Sequence, residues 1–265
     1  MKAARILLAA HALAIIAMRP TLPSLFTWPR ELWAGVQPGT ALRYLWLFSP
    51  GLEMIFYALL AIALLCALFG FAARTACFIA AILLYHFAPL DDVFINASGP
   101  YSHGLTVDIL GLVILAVAPA TRRWPIVLIR AAVASQYVFS TIVKIKIAGL
   151  GWFGSENIRD IAILFDRLGL APRARVVIEH PALASAIGFG WLVITLGMAA
   201  TPFSRAAARV VVPSLALAHV GAIPLFGIFY PGVPLLLLFV EWPQGSAERR
   251  PGSQPHAADA RSAQR

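Results

Sequence analysis

Apolar runs long enough to cross a lipid bilayer recur along this chain, separated by short basic, proline-rich or glycine-rich punctuation. A crossing helix needs about 20 predominantly apolar residues. Repetition of such runs predicts an all-α fold, a polytopic transmembrane helix bundle of about eight spans with an amphipathic interfacial helix after the fifth. Composition agrees: 60% of the 265 residues are hydrophobic and only 12% are charged, where a soluble domain is nearer half apolar and about a quarter charged. The length suits one bundle, residues 1–243, followed by a disordered polar tail at 244–265.

The first span is expected from about Arg5 to Met18. Its basic start and apolar stretch resemble a signal peptide, but Arg19-Pro20 interrupts the run without a convincing cleavage site, so it is read as a retained helix. Residues 20–50 carry prolines and aromatics, the mixture of an interfacial loop. Further spans are expected at about Leu52 to Phe71, Thr75 to Leu90, Ser102 to Ala118 and Trp124 to Ile147. Then comes GSENIRDIAILFDRLGL, with Ser155 as N-cap and Ile158, Ile161, Phe165 and Leu168 on one face. This segment is expected to lie on the bundle or the interface. A sixth span runs from about Pro181 to Ala200. The last apolar run, Ala206 to Trp242, contains Pro213, Pro224, Pro231 and Pro234. It reads as two helices meeting near Phe229–Gly232, and a re-entrant hairpin fits the same letters.

The formal net charge of +9 would suit nucleic acid, yet the basic residues sit at the ends of apolar segments, so no nucleic-acid partner is expected. Eight spans with both termini cytoplasmic put Lys2, Arg5, Arg74, Arg122, Arg123, Arg205 and Arg209 inside, the positive-inside pattern of a multi-pass plasma-membrane protein. Cys66 and Cys77 lack metal or disulfide spacing and read as small packing residues.

One stretch, RAAVASQYVFSTIVKIKIAGLGWFG at 130–154, carries polar groups along an otherwise apolar helix. Arg130, Tyr137, Thr141 and Lys144 fall on one stripe of a 3.6-residue period. Ionisable groups inside a bilayer cost about 2.5–3.5 kcal/mol each on insertion scales and usually face protein or a wet cavity, so the stripe is a candidate site. Lys144 and Lys146 at the helix end also fit side chains snorkelling to headgroups. Asp108, one turn into its span, is expected to pair with Arg130 or another cation. His219, near mid-membrane, reads as a hydrogen-bonded interhelical histidine or a binding group. Glu53 reads as a charge cap, and His11 and His86 as packing or interfacial residues. Gly188, Gly190 and Gly197 are expected to permit close helix contact. Glu53, Asn96, His103 and Lys144 are expected to cluster at the outer side.

The run QYVFSTIVKIKIAGLGWFG resembles a segment of the horizontally transferred transmembrane (HTTM) domain, the membrane part of vitamin K-dependent γ-carboxylase. Gln136, Tyr137, Lys144, Trp152 and Gly154 match its pattern in order. The segment SLALAHVGAIPLFGIFYPG is similar to the family's late histidine-bearing helix pair, with His219 at the histidine, and Asn96 to His103 to its Asn-His stretch. The resemblance implies Lys144, with Lys146 competing, as the base that deprotonates a quinol, with His103 as its polarising partner. The family's large luminal domain, which helps bind its protein substrate, has no counterpart in this sequence, so glutamate carboxylation is not expected. What the resemblance implies is a quinone or lipid ligand, or a membrane or secreted protein partner. The non-enzymatic reading stands slightly ahead of a quinone- or lipid-dependent enzyme. Transport comes third, because no internal repeat accompanies the broken helices.

Overall fold

The computed structural model describes residues 1–18, 48–98, 105–119 and 122–240. The interfacial loop at 20–47, His103 and the polar tail lie outside them. Among the described residues the chain is helical without strands. Its α-helices are α1 (Lys2–Ala17), α2 (Pro50–Phe69), α3 (Ala73–Ser98), α4 (Thr106–Val117), α5 (Trp124–Ala148), α6 (Ser155–Arg167), α7 (Ala174–Ile178), α8 (Pro181–Gly197) and α9 (Arg205–Phe226). Short 3₁₀ helices come after α5, α8 and α9, at Gly149–Phe153, Met198–Ala200 and Val233–Phe239.

Local chemistry sets these boundaries. Proline occupies the first turn of α2, α5 and α8, where its missing N–H has no intrahelical acceptor to lose. Ser204 caps α9 by accepting from the Ala207 amide at 3.2 Å. Ser155 is not a cap as expected: Gly154 holds that position in extended conformation, and Ser155 is already helical. Gly227 ends α9 at φ +63°, and a Cβ there would lie 2.6 Å from the Leu170 carbonyl oxygen. Both the left-handed backbone and the close approach require glycine.

Four helical stretches are long and apolar enough to cross a membrane: Pro50–Phe69, Trp124–Phe153, Pro181–Ala200 and Arg205–Phe226. Large apolar side chains face outward on them, with Ile147, Val193 and Leu217 respectively 76%, 70% and 71% exposed. Water would disfavour such a surface, and hydrocarbon suits it. Inside, α1 to α4 pack in sequence and α1 also meets the last 3₁₀ helix. Leu8, Leu64, Leu84, Leu112, Ile129 and Leu235 belong to that one core. A second cluster joins α6, α7, α8 and the end of α9.

Helix α6 lies on that second cluster through Ile158, Ala162, Ile161 and Phe165. Leu168, assigned to the same face, is 60% exposed. Arg159 donates to the Ile178 carbonyl at 2.8 Å and ties α6 to α7. The tight approach of α8 passes through Gly188, where a Cβ would sit 2.0 Å from the Phe153 carbonyl oxygen. A Cβ at Gly197 would sit 3.2 Å from the Val211 side chain, whereas one at Gly190 would meet open space.

The last apolar run departs from expectation. Pro213 and Pro224 lie inside α9 without interrupting it. The break runs from Gly227 to Gly232 and includes the expected Phe229–Gly232. Beyond the break the chain forms a seven-residue 3₁₀ helix, Val233–Phe239, rather than a second α-helix. Pro234 lies in the first turn of that 3₁₀ helix, where its missing N–H has no intrahelical acceptor to lose.

Candidate functional site

Helix α5 carries its polar residues past a succession of different partners. Near its start, Arg130 donates from Nε to the Leu238 carbonyl at 2.8 Å, and its guanidinium lies 5.7 Å from the Phe239 ring centre. Two turns on, Tyr137 is buried among rings. Thr141 donates to the Thr195 hydroxyl of α8 at 2.7 Å, and Thr195 in turn donates to the Trp191 carbonyl at 2.8 Å. The stripe predicted from sequence is therefore enclosed from Arg130 to Thr141. Lys144 differs: it is half-buried and donates to Ser140 of its own helix at 2.7 Å. Lys146 is exposed in the last turn.

Tyr137 opens onto the most concentrated group of polar rings in the described interior. His219 of α9 stacks on Tyr230 with ring centres 4.9 Å apart and an interplanar angle of 10°. Trp191 meets His219 edge-on at 5.0 Å. Tyr137 approaches both His219 and Tyr230 at 5.8 Å. The Tyr230 hydroxyl makes a long hydrogen bond to the Gln136 side-chain oxygen at 3.4 Å. Two buried polar atoms in this group, Tyr137 Oη and His219 Nε2, have no hydrogen-bond partner among the described residues. Buried polar atoms are normally satisfied, and leaving one unpaired costs about 1–3 kcal/mol.

A second polar pair adjoins the same segment. His11 Nδ1 lies 2.8 Å from Asp108 Oδ2, and His11 Nε2 lies 2.9 Å from the Pro231 carbonyl oxygen. A carbonyl only accepts, so Nε2 carries a hydrogen. The remaining proton sits between Nδ1 and the carboxyl group. Whether drawn as imidazolium–carboxylate or imidazole–carboxylic acid, the pair is neutral overall, which suits a non-aqueous interior. Asp108 Oδ1 is also buried without a partner.

Of the partners expected for Asp108, Arg130 or another cation, His11 takes the place, while Arg130 reaches the Leu238 carbonyl. One expectation is corrected: His11 is not a packing or interfacial residue. Glu53 does accept from the Phe48 amide at 2.9 Å, near its helix start, but it also meets His86 at 2.8 Å and is buried. Glu53 and Lys144 have separate partners, so the described residues do not bring them into one cluster. The Asn96 side chain, like His103, lies outside what the structure describes.

Sequence reasoning singled out Arg130, Tyr137, Thr141 and His219 but missed Trp191, Tyr230 and the role of His11. The Tyr230-Pro231-Gly232 break was a usable signal, since non-helical backbone at membrane depth must find partners within the protein. Among the described residues no group of three or more histidine, cysteine or acidic side chains could hold a metal, and both cysteines are free. No family model, curated protein or solved structure matches the chain.

Proposed function

We propose that this chain is an HTTM-type membrane protein of eight crossings that binds a lipid-soluble ligand through Tyr137 and His219. The observation that carries the reading is the pair of buried, unpartnered atoms, Tyr137 Oη and His219 Nε2, inside a ring of aromatic side chains. A tyrosine hydroxyl donates or accepts, and a neutral imidazole nitrogen does one or the other according to tautomer. Together they suit a planar head bearing carbonyl or hydroxyl oxygens, as in a quinone or quinol. Lys144 bonds Ser140 rather than this cluster. The binding centre is therefore assigned to Tyr137 and His219.

The eight-crossing topology has support from the end of the chain. The non-helical residues 227–232 and the seven-residue 3₁₀ helix Val233–Phe239 follow α9 as one segment, the 3₁₀ helix alone covering about 14 Å. One end of this segment meets Leu170 and the other meets Arg130, which supports a return crossing. Arg74, bonded to the Ala118 carbonyl at 3.3 Å, shares its end of the bundle with the start of α5 and with Arg205 and Arg209. That concentration of arginine supports cytoplasmic termini in a plasma membrane.

The test is to purify the chain from membranes, identify any retained quinone or lipid, and repeat with Tyr137→Phe, His219→Leu and Lys144→Ala. The expected result is at least a tenfold loss of retained ligand for the first two and full retention for the third. Equal retention by Tyr137→Phe, His219→Leu and the parent chain overturns the reading. Loss confined to Lys144→Ala moves the site to Lys144 and favours the enzymatic alternative, with that lysine as base.

A further inference from the structure

Glu53 and His86 form a polar pair outside the Tyr137–His219 cluster. Glu53 is 1% exposed, and both of its carboxyl oxygens are committed. Oε1 accepts from the Phe48 amide at 2.9 Å, and Oε2 lies 2.8 Å from His86 Nε2. Phe87, Phe48 and Phe56 wall the imidazole, with ring centres 4.9, 6.0 and 6.2 Å away. One property separates this pair from His11–Asp108. Both nitrogens of His11 are bonded, whereas Nδ1 of His86 makes no hydrogen bond among the described residues and the side chain keeps 17% of its surface exposed. Ile82, one turn earlier on α3, and Tyr85 are 54% and 68% exposed, so the open edge of the imidazole borders the lipid-facing surface. Glu53 sets the depth. It lies three residues, about 4.5 Å, inside a 20-residue helix whose length of about 30 Å equals the hydrocarbon thickness. The pair therefore sits near one boundary of the hydrocarbon, where the heads of single-chain amphiphiles lie.

We infer that the Glu53–His86 pair is a binding site for the carboxyl head of a long-chain fatty acid, held by His86 Nδ1 while its chain stays among the lipid tails. A buried carboxylate on one imidazole nitrogen fixes the ring's orientation, stabilises its cationic form and leaves the other nitrogen to a ligand. With one proton shared inside the pair, the pair is neutral overall and Nδ1 carries a hydrogen. That N–H donates to a carboxylate, and the bond is charge-assisted when the ring is imidazolium. One proton fewer turns Nδ1 into an acceptor, which a carboxylic acid O–H satisfies. A carboxyl head answers both states, whereas an ester answers only the first. Among the described residues no lysine or arginine bonds either member, so the site offers a single donor, a match for a carboxyl head and not for a phosphate. The site lies between α2 and α3, and its test does not depend on the Tyr137–His219 assignment.

The experiment is native mass spectrometry of the full chain in detergent, titrated with palmitic acid or its methyl ester. The acid is expected to bind at least about tenfold more tightly, the size of one charge-assisted hydrogen bond. Glu53→Gln keeps an acceptor for the Phe48 amide but cannot stabilise an imidazolium. It should weaken the acid about tenfold and leave the ester unchanged. The double variant Glu53→Gln/His86→Phe keeps the ring packing without leaving a buried charge, and should bind acid and ester alike. Equal affinity of the parent chain for acid and ester, a comparison that needs no variant, overturns the proposal. So does an undiminished preference for the acid in the double variant. Loss of acid binding in His219→Leu with none in Glu53→Gln would place the acid in the other cluster and overturn it as well.

Discussion

Asp108 offers the sharpest separation between a hydrogen bond and mere bulk. Its Oδ2 meets His11 Nδ1 at 2.8 Å while the Pro231 carbonyl holds the opposite nitrogen. With Nε2 committed as donor, a neutral His11 presents Nδ1 as an acceptor. Asp108→Asn can donate its amide hydrogen to that nitrogen at nearly the same geometry, so the cost should stay within about 1 kcal/mol. Asp108→Ala leaves Nδ1 buried without a partner and should cost about 1–3 kcal/mol. Relief of the unpartnered Oδ1 offsets part of this loss. Asp108→Leu keeps bulk yet cannot bond, and should be no better than alanine. If the native pair is an ion pair, the alanine cost rises toward about 3–5 kcal/mol, but the order asparagine above alanine and leucine is unchanged. The assay is reversible unfolding in mixed detergent, read as the free-energy difference from the parent. A double-mutant cycle with His11→Ala should give a coupling of at least about 1 kcal/mol. Equal losses for asparagine and alanine, or simple additivity in the cycle, would show that the side chain at 108 acts through its volume and not through His11.

Two further outcomes come from packing. Gly188→Ala should destabilise by about 1–3 kcal/mol because its Cβ meets the Phe153 carbonyl oxygen, whereas Gly190→Ala, facing open space, should be neutral or stabilising by up to about 1 kcal/mol; thermal inactivation in detergent ranks the two. Thr141→Val removes the hydroxyl bridge between α5 and α8 while Thr195 keeps its Trp191 carbonyl, so unfolding should cost about 0.6 kcal/mol and at most about 1.7 kcal/mol.

The long elements were legible because their signals are local. Proline in the first turn of α2, α5 and α8, and glycine after α2 and α9, lie next to the apolar windows they bound. The polar stripe on α5 was legible for the same reason, since its spacing alone puts Arg130, Tyr137 and Thr141 on one face. Partner choice was not legible. Asp108 and His11 are 97 positions apart, and nothing local favours that pairing over Arg130. The prolines of the last run misled in a specific way: Pro213 and Pro224 are accommodated inside α9, while Pro231 and Pro234 lie where the helix is lost. The Pro224 carbonyl, in the last turn of α9, accepts from the Arg173 amide at 2.9 Å, a tertiary contact that no local pattern encodes.

The unwound segment gives a physical account of most of the buried polar chemistry. Non-helical backbone at membrane depth must be satisfied by the protein itself, and here side chains from several helices converge on it. His11 of α1 covers the Pro231 carbonyl, Arg130 of α5 covers that of Leu238, and Gln136 of α5 accepts from Tyr230. Asp108 orients His11 for the first of these contacts. His11, Asp108 and Arg130 are accounted for by the backbone they stabilise, so their burial alone is no argument for a site. Tyr137 Oη and His219 Nε2 remain after that need is met: they touch the segment through ring faces, not through hydrogen bonds. A purely structural cluster would be served as well by phenylalanine at 137, which keeps the ring contacts and removes the unpaired hydroxyl. Tyr137→Phe should therefore leave unfolding stability unchanged or raised by up to about 1–3 kcal/mol, and the combination of a more stable chain with lost ligand is the signature that separates a binding tyrosine from a packing one.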